Sequence, residues 1–174
     1  TPLYSSAASD VYKRQGEDAW VRGGPLSSTT YPYKEDGILP DGSRVPDIPV
    51  MNLLIVRKDL RKGLVGESII DTGFDAGIYA NLNLAEFLEG LKPLRTASLQ
   101  AAGRSVSCEV FDVECHIVDG DSKPVIPLGR VEVYCPVDPI DLSEDVIVGR
   151  AILNRVRLEL DGKLAKLLPS DLTT

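Results

Sequence analysis

The chain reads as an all-β protein, a closed or folded sheet of short strands with one or two short helices. Three observations predict this class. Apolar runs of strand length recur at 50–56, 64–70, 131–135 and 146–148. Apolar and polar residues alternate through 97–118, the period of a strand with one buried face. Turn signals separate the runs, among them Gly63, Ala102-Gly103, Asp119-Gly120-Asp121 and Asp161-Gly162. Many short strands joined by close turns favour a barrel over layered helices and sheet.

The length of 174 residues suits one domain with extensions, and 43 % apolar residues suffice for a core. A net charge of −7 argues against nucleic acid, which needs a basic face to displace counterions. No apolar run approaches the ~20 residues that span a bilayer, and no charged-then-apolar segment opens the chain. No membrane partner is expected, and the expected compartment is the cytoplasm. Cys108, Cys115 and Cys135 are odd in number and form no Cys-x-x-Cys pair, so they read as small buried strand residues. His116 stands alone in the strand-like run 113–118 and reads as structural. No metal and no cofactor are expected.

Residues 1–15 lack a clear period and resemble translated adapter text at the edge of an assembled environmental read. They are expected to be a non-native or disordered tail that makes few contacts. Residues 16–49 are rich in Gly, Pro, Ser and Thr. Gly23-Gly24-Pro25, Tyr31-Pro32-Tyr33, Leu39-Pro40-Asp41-Gly42 and Val45-Pro46 mark turns, not strand interiors. This segment reads as an extension lying on the domain, anchored by Trp20 and the tyrosines.

The body is expected at 50–168, with a tail at 169–174. Runs 50–56 and 64–70 form a hairpin across the charged stretch 57–63, which reads as a solvated loop. A short strand follows at 77–80. Asn83 and Glu86 are spaced as a capping box for a short helix that Gly90 ends. Ser98-Leu99-Gln100 and Ser105-Val106-Ser107 flank a small-residue tip and predict a hairpin. The alternation then slips by one between Val110 and Phe111, which predicts a bulge or bend. Residues 131–135 form a strand and 136–145 an acidic loop with two prolines. Residues 146–148 form a buried strand, 151–153 one helical turn, and 156–160 with 163–168 a closing hairpin across Asp161-Gly162.

One stretch carries chemistry. Ile69-Ile70 runs into Asp71-Thr72-Gly73-Phe74-Asp75, and Val146-Ile147-Val148-Gly149-Arg150 later repeats the apolar-into-glycine pattern without the aspartate. An apolar strand that ends on a carboxylate and a glycine delivers a charge to the floor of a cleft. Asp-Thr-Gly alone is a weak signal, since it is more often a plain turn. The compound pattern is more specific.

That pattern resembles the retropepsin-like aspartic proteases over roughly residues 50–168. Residues 69–73 look like their active-site loop, 96–110 like their flap, and 146–153 like their second apolar-glycine motif and its short helix. The Asp-Thr-Gly-Phe variant resembles a prokaryotic branch of single-lobe members. Phe74 and the long loop 136–145 depart from the viral pattern. The resemblance implies a single-lobe β-barrel active as a symmetric homodimer, an aspartic endopeptidase with Asp71 as catalytic residue. It implies loop support from Thr72, Gly73, Asp75, Gly149 and Arg150, with Thr72 bonding across the dimer and Asp75 pairing with Arg150. It implies a flap tip, Ala101, Ala102, Gly103 and Arg104, that closes over an extended peptide or protein substrate.

Two other readings are consistent with the residues. One is a catalytically silent dimerisation or peptide-binding module on the same fold. The other is an unrelated small barrel with an accidental Asp-Thr-Gly, which predicts Asp71 on an exposed turn away from Val148 and Gly149.

Overall fold

A computed structural model describes residues 27–101 and 103–170. Residues 1–15, Trp20, Ala102 and the last four positions of the C-terminal tail lie outside the described residues. In chain order the elements are β1 (Thr29–Pro32), β2 (Val50–Arg57), β3 (Lys62–Ile70), β4 (Ile78–Tyr79), α1 (Leu82–Leu88), β5 (Arg95–Ala101) and β6 (Arg104–Val118). Then come β7 (Pro124–Pro136), a 3-10 turn (Pro139–Asp141), β8 (Val146–Val148), α2 (Arg150–Leu153), β9 (Val156–Leu160) and β10 (Leu164–Pro169).

The protein is all-β. Its larger sheet runs β2-β3-β8-β4-β7-β6-β5, and a further β2–β6 pairing closes the first six of these into a barrel. Closure removes the unpaired edges that would otherwise recruit other chains. β5 lies outside the closure and, among the described residues, pairs only with β6. A second sheet, β1-β10-β9, contributes Tyr31, Val156, Ala165 and Leu167 to the main core.

The stretch expected to hold turns alone therefore supplies β1. Tyr31 is 5 % exposed, and its hydroxyl donates to the carbonyl of Val118. Pro32 ends this strand, where a missing N–H costs least. Burial of the Tyr31 ring outweighs the turn propensity around it.

β6 corrects the bulge expected at Val110/Phe111. Its register with β7 runs unbroken from Cys108↔Pro136 to Cys115↔Gly129, and the shifts fall later, at Cys115/His116 and Ile117/Val118. The phase slip has another cause. Val106, Cys108 and Val110 face a small cluster with Tyr134, whereas Phe111, Val113, Cys115 and Ile117 face the barrel core. With the ladder unbroken, one strand buries one face and then the other. β7 also extends well N-terminal of 131–135. Pro127 is accommodated in the register shift opposite His116 and Pro124 opens the strand, so neither proline interrupts it.

The α1 cap lies two residues earlier than expected. Asn81 Oδ1 accepts from the Leu84 amide at 3.0 Å, and Asn83 is an exposed residue within the helix. The chain remains in the sheet until Asn81, with Ala80 N bonded to Tyr134 O at 3.0 Å, so the helix nucleates where the strand releases it. Gly90, with φ +78, turns the chain after the helix.

Arg57 is not part of a solvated loop. It is 3 % exposed and holds Asp59 through Nε and Nη2 at 2.8 and 2.6 Å. Its Nη1 donates to Phe87 O at 2.8 Å and Glu89 O at 3.2 Å, satisfying carbonyls at the end of α1. Arg57→Met keeps the apolar stem and removes every donor. The unfolding free energy in urea titration is expected to fall by about 2 kcal/mol, with a smaller loss for Asp59→Asn.

Candidate active site

β3 and β8 run parallel with Ile69↔Ile147 and Ile70↔Val148, and the catalytic candidate follows immediately. Ile70 N donates to Pro49 O at 2.9 Å and Asp71 N to Val148 O at 3.0 Å. The chain then turns back on the Asp71 side chain. Gly73 N donates to Asp71 Oδ1 at 2.7 Å, and Phe74 N to Asp71 O at 3.2 Å, an Asx-type turn. Its carboxylate is thereby oriented by backbone, at half-buried exposure, with Thr72 and Gly73 exposed beside it.

The second motif clamps this loop. Gly149 N donates to Gly77 O at 2.8 Å, Arg150 N to Phe74 O at 2.7 Å and Ala151 N to Ala76 O at 3.2 Å. Such close approach leaves no side-chain space. A Cβ on Gly149 would lie 2.4 Å from Ala76 O and 2.6 Å from Phe74 O. Gly77 is equally confined, with Glu132 O 2.3 Å from its notional Cβ. The reason is contact, not backbone conformation, since φ at Gly149 is −102. The sequence gives no sign of this confinement, because a lone glycine before a short strand carries no distinguishing pattern.

Asp75 and Arg150 form an ion pair across the two motifs. Their side chains are 79 % and 53 % exposed, so the pair contributes at most about 1 kcal/mol and serves to orient the loop. Phe74 is half-buried and meets Tyr79 edge-on with ring centroids 6.1 Å apart. The variant aromatic residue thus props the loop against β4.

The β5–β6 hairpin ends in the pair Ala101↔Arg104, with Gly103 at φ +79 in the turn. Glycine suits this tip because other residues are strained there. The inner face of the hairpin, Ala97, Leu99, Val106, Cys108 and Val110, packs with Ala76, Tyr79 and Tyr134. It therefore rests on the residues that directly follow the Asp71 loop. Arg104 reaches Asp141 of the 3-10 turn, 2.8 Å from Nη2 to Oδ1. Asp71, Thr72, Gly73, Asp75, Gly149 and Arg150 are gathered in one loop pair. The base of the hairpin, not its tip, joins it through the small cluster, and of the tip residues Arg104 meets Asp141 instead of the Asp71 loop. Tyr79 and Asp141 are neighbours with no sequence signal. The placement expected of an accidental Asp-Thr-Gly, away from Val148 and Gly149, is not observed, because Asp71 N is bonded directly to Val148 O.

Cys108 and Cys115 are buried free thiols, Cys135 is half-buried and free, and His116 Nε2 lies 3.2 Å from Glu114. Burial pushes the Cys108 thiol up to about 11, so it is not a nucleophile at neutral pH. Among the described residues no three His, Cys, Asp or Glu side chains gather to hold a metal, and no helix is long and apolar enough to cross a membrane.

No family model matches the chain, and no curated protein matches it. Among solved structures it is similar to a retropepsin-like aspartic protease from Rickettsia conorii, with a TM-score of 0.45 and 18 % identity. That match covers 81 % of this chain and 92 % of the other.

Gly149→Ala is expected to lower the melting temperature strongly, by about 2 kcal/mol or more in stability, because backbone oxygens must move. Gly66→Ala is the control. Nothing lies within 4 Å of its notional Cβ, and its effect should stay within about 0.5 kcal/mol.

Tyr79 gives a second test. Burial, with lesser contributions from Cys108 and Asp141, pushes its phenol up to about 12 from an ordinary 10.0. The unfolded phenol ionises first as pH rises, so the stability linked to this group is complete below pH 10 and is lost as pH rises through about 12. Tyr79→Phe should flatten that alkaline decline in melts recorded across the same range.

Proposed function

We propose that the chain is one subunit of a homodimeric aspartic endopeptidase that cleaves extended peptide or protein substrates. The observation that carries this reading is the placement of Asp71. It follows the buried Ile70 at the end of a largely half-buried strand, is bonded to Val148, and presents a carboxylate oriented by the Gly73 amide but not sealed from solvent.

The chemistry needs two carboxylates and one subunit offers one Asp-Thr-Gly. A two-fold axis beside Asp71 would bring its copy alongside. Two carboxylates about 3 Å apart cannot both ionise, so one holds a proton and the pair titrates as a unit. The ionised member takes a proton from water, and that oxygen attacks the scissile carbonyl. The protonated member donates to the carbonyl oxygen. Collapse of the tetrahedral intermediate breaks the C–N bond as the leaving nitrogen receives a proton. In the proposed dimer Thr72 bonds across the axis, Gly73 admits the partner backbone, and Asp75–Arg150 holds the loop. Substrate would pair as an added strand under the hairpin, with main-chain bonds for affinity and side-chain pockets for selectivity.

The decisive pair of measurements is solution mass and the activity of Asp71→Asn. A dimer is expected, and cleavage of an unfolded test protein at mildly acidic pH should fall by about a hundredfold or more in the variant. Unchanged cleavage in Asp71→Asn, or cleavage by a strict monomer, overturns the reading. Peptide binding without cleavage in either form would instead make the chain a silent binding module.

A further inference from the structure

The loop between β7 and β8 is moored to the body along its length. Val137 N donates to Ser107 O at 2.9 Å, and Tyr79 Oη donates to Asp141 O at 2.6 Å. Asn81 Nδ2 reaches Glu144 O at 3.4 Å, and Lys34 Nζ pairs with Asp145 at 2.8 Å. The 3-10 turn is itself braced, since Asp138 accepts from Ile140 N and Asp141 N at 3.0 Å each. Asp141 is therefore a fixed post.

The hairpin tip is the opposite case. Gln100, Gly103, Arg104 and Ser105 are exposed, and the packed cluster ends at Leu99 and Val106. Among the described residues, the Arg104–Asp141 pair joins this tip to the loop. It is lopsided. The Arg104 side chain is 67 % exposed, whereas that of Asp141 is 17 % exposed and its Oδ1 is covered, accepting no aligned hydrogen bond and meeting Arg104 as an ion pair alone. A covered carboxylate oxygen with one cation beside it favours keeping that cation.

We propose that Arg104 and Asp141 form an electrostatic latch that holds the hairpin tip against the 3-10 turn and is released when a peptide enters. The idea rests on the endopeptidase reading for its purpose and not for its existence. Half-exposed ion pairs of this kind contribute about 0–1 kcal/mol. That is small for folding and suited to a gate, since it shifts a two-state equilibrium by about fivefold at most. Tyr79 links the post to Phe74, so the latch and the Asp71 loop share one support.

The test is amide hydrogen exchange over residues 99–106 in wild type, Arg104→Gln, Asp141→Asn and the swap Arg104→Asp/Asp141→Arg, at low and high salt. Either single substitution should speed exchange about two- to fivefold at low salt. Wild type should approach the same rate at high salt, because screening weakens the pair. The swap should restore slow exchange. Rates that are alike in all four proteins, or unaffected by salt in wild type, overturn the latch. Arg104→Gln alters an exposed side chain and keeps the test valid if Asp141 variants do not fold. In peptide cleavage the single variants should lower KM by about the same factor. If exchange responds as expected while no form cleaves any peptide, the latch stands and the endopeptidase reading falls.

Discussion

Everything at this site depends on backbone meeting backbone at Gly149. The amides of Gly149, Arg150 and Ala151 bond to the carbonyls of the Asp71 loop, and Asp71 returns a bond to Val148. This interlock is possible because two parallel strand ends arrive side by side and one of them carries no side chain. The carboxylate is thereby set by the least adaptable part of the protein. A carboxylate held by main chain keeps its geometry when the surrounding side chains move.

The barrel exists to bring those strand ends together. β3 comes from the β2–β3 hairpin, and β8 arrives far later in the chain, after the long β6–β7 excursion. β4 sits between β8 and β7, antiparallel to one and parallel to the other, and its Tyr79, with Ala76 before it, packs against the β5–β6 hairpin. The two-faced burial of β6 then divides labour. Its C-terminal half builds the barrel core, and its N-terminal half carries a second, smaller core that seats the hairpin on Ala76 and Tyr79. The hairpin is thus firm at its base and held at its tip by a weaker, electrostatic contact.

Several features were legible along the chain because their causes are local. Strands β2, β3, β8, β9 and β10 follow from apolar runs and turn residues, and the Asp161-Gly162 turn from a dipeptide that tolerates its φ of +87 at Gly162. The pairing of the two apolar-glycine motifs was also visible as a pattern. Other features escaped because their causes are distant. Arg57 looks like a surface charge until α1 presents its carbonyls to it. Tyr31 looks like part of a turn until Val118 accepts its hydroxyl. The slip at Val110/Phe111 looks like a bulge unless two separate cores are known to flank one strand.

By itself the sequence determined the all-β class, the hairpins, and a strand that ends on Asp71 with a glycine two residues later. These follow from periodicity and turn chemistry, which act over a few neighbouring residues. Only the tertiary structure decided that Gly149 admits no side chain, that Gly77 is equally confined, and that Asp141 receives Arg104. Those outcomes depend on which backbones are pressed together across the barrel, and no local pattern of side chains encodes that distance.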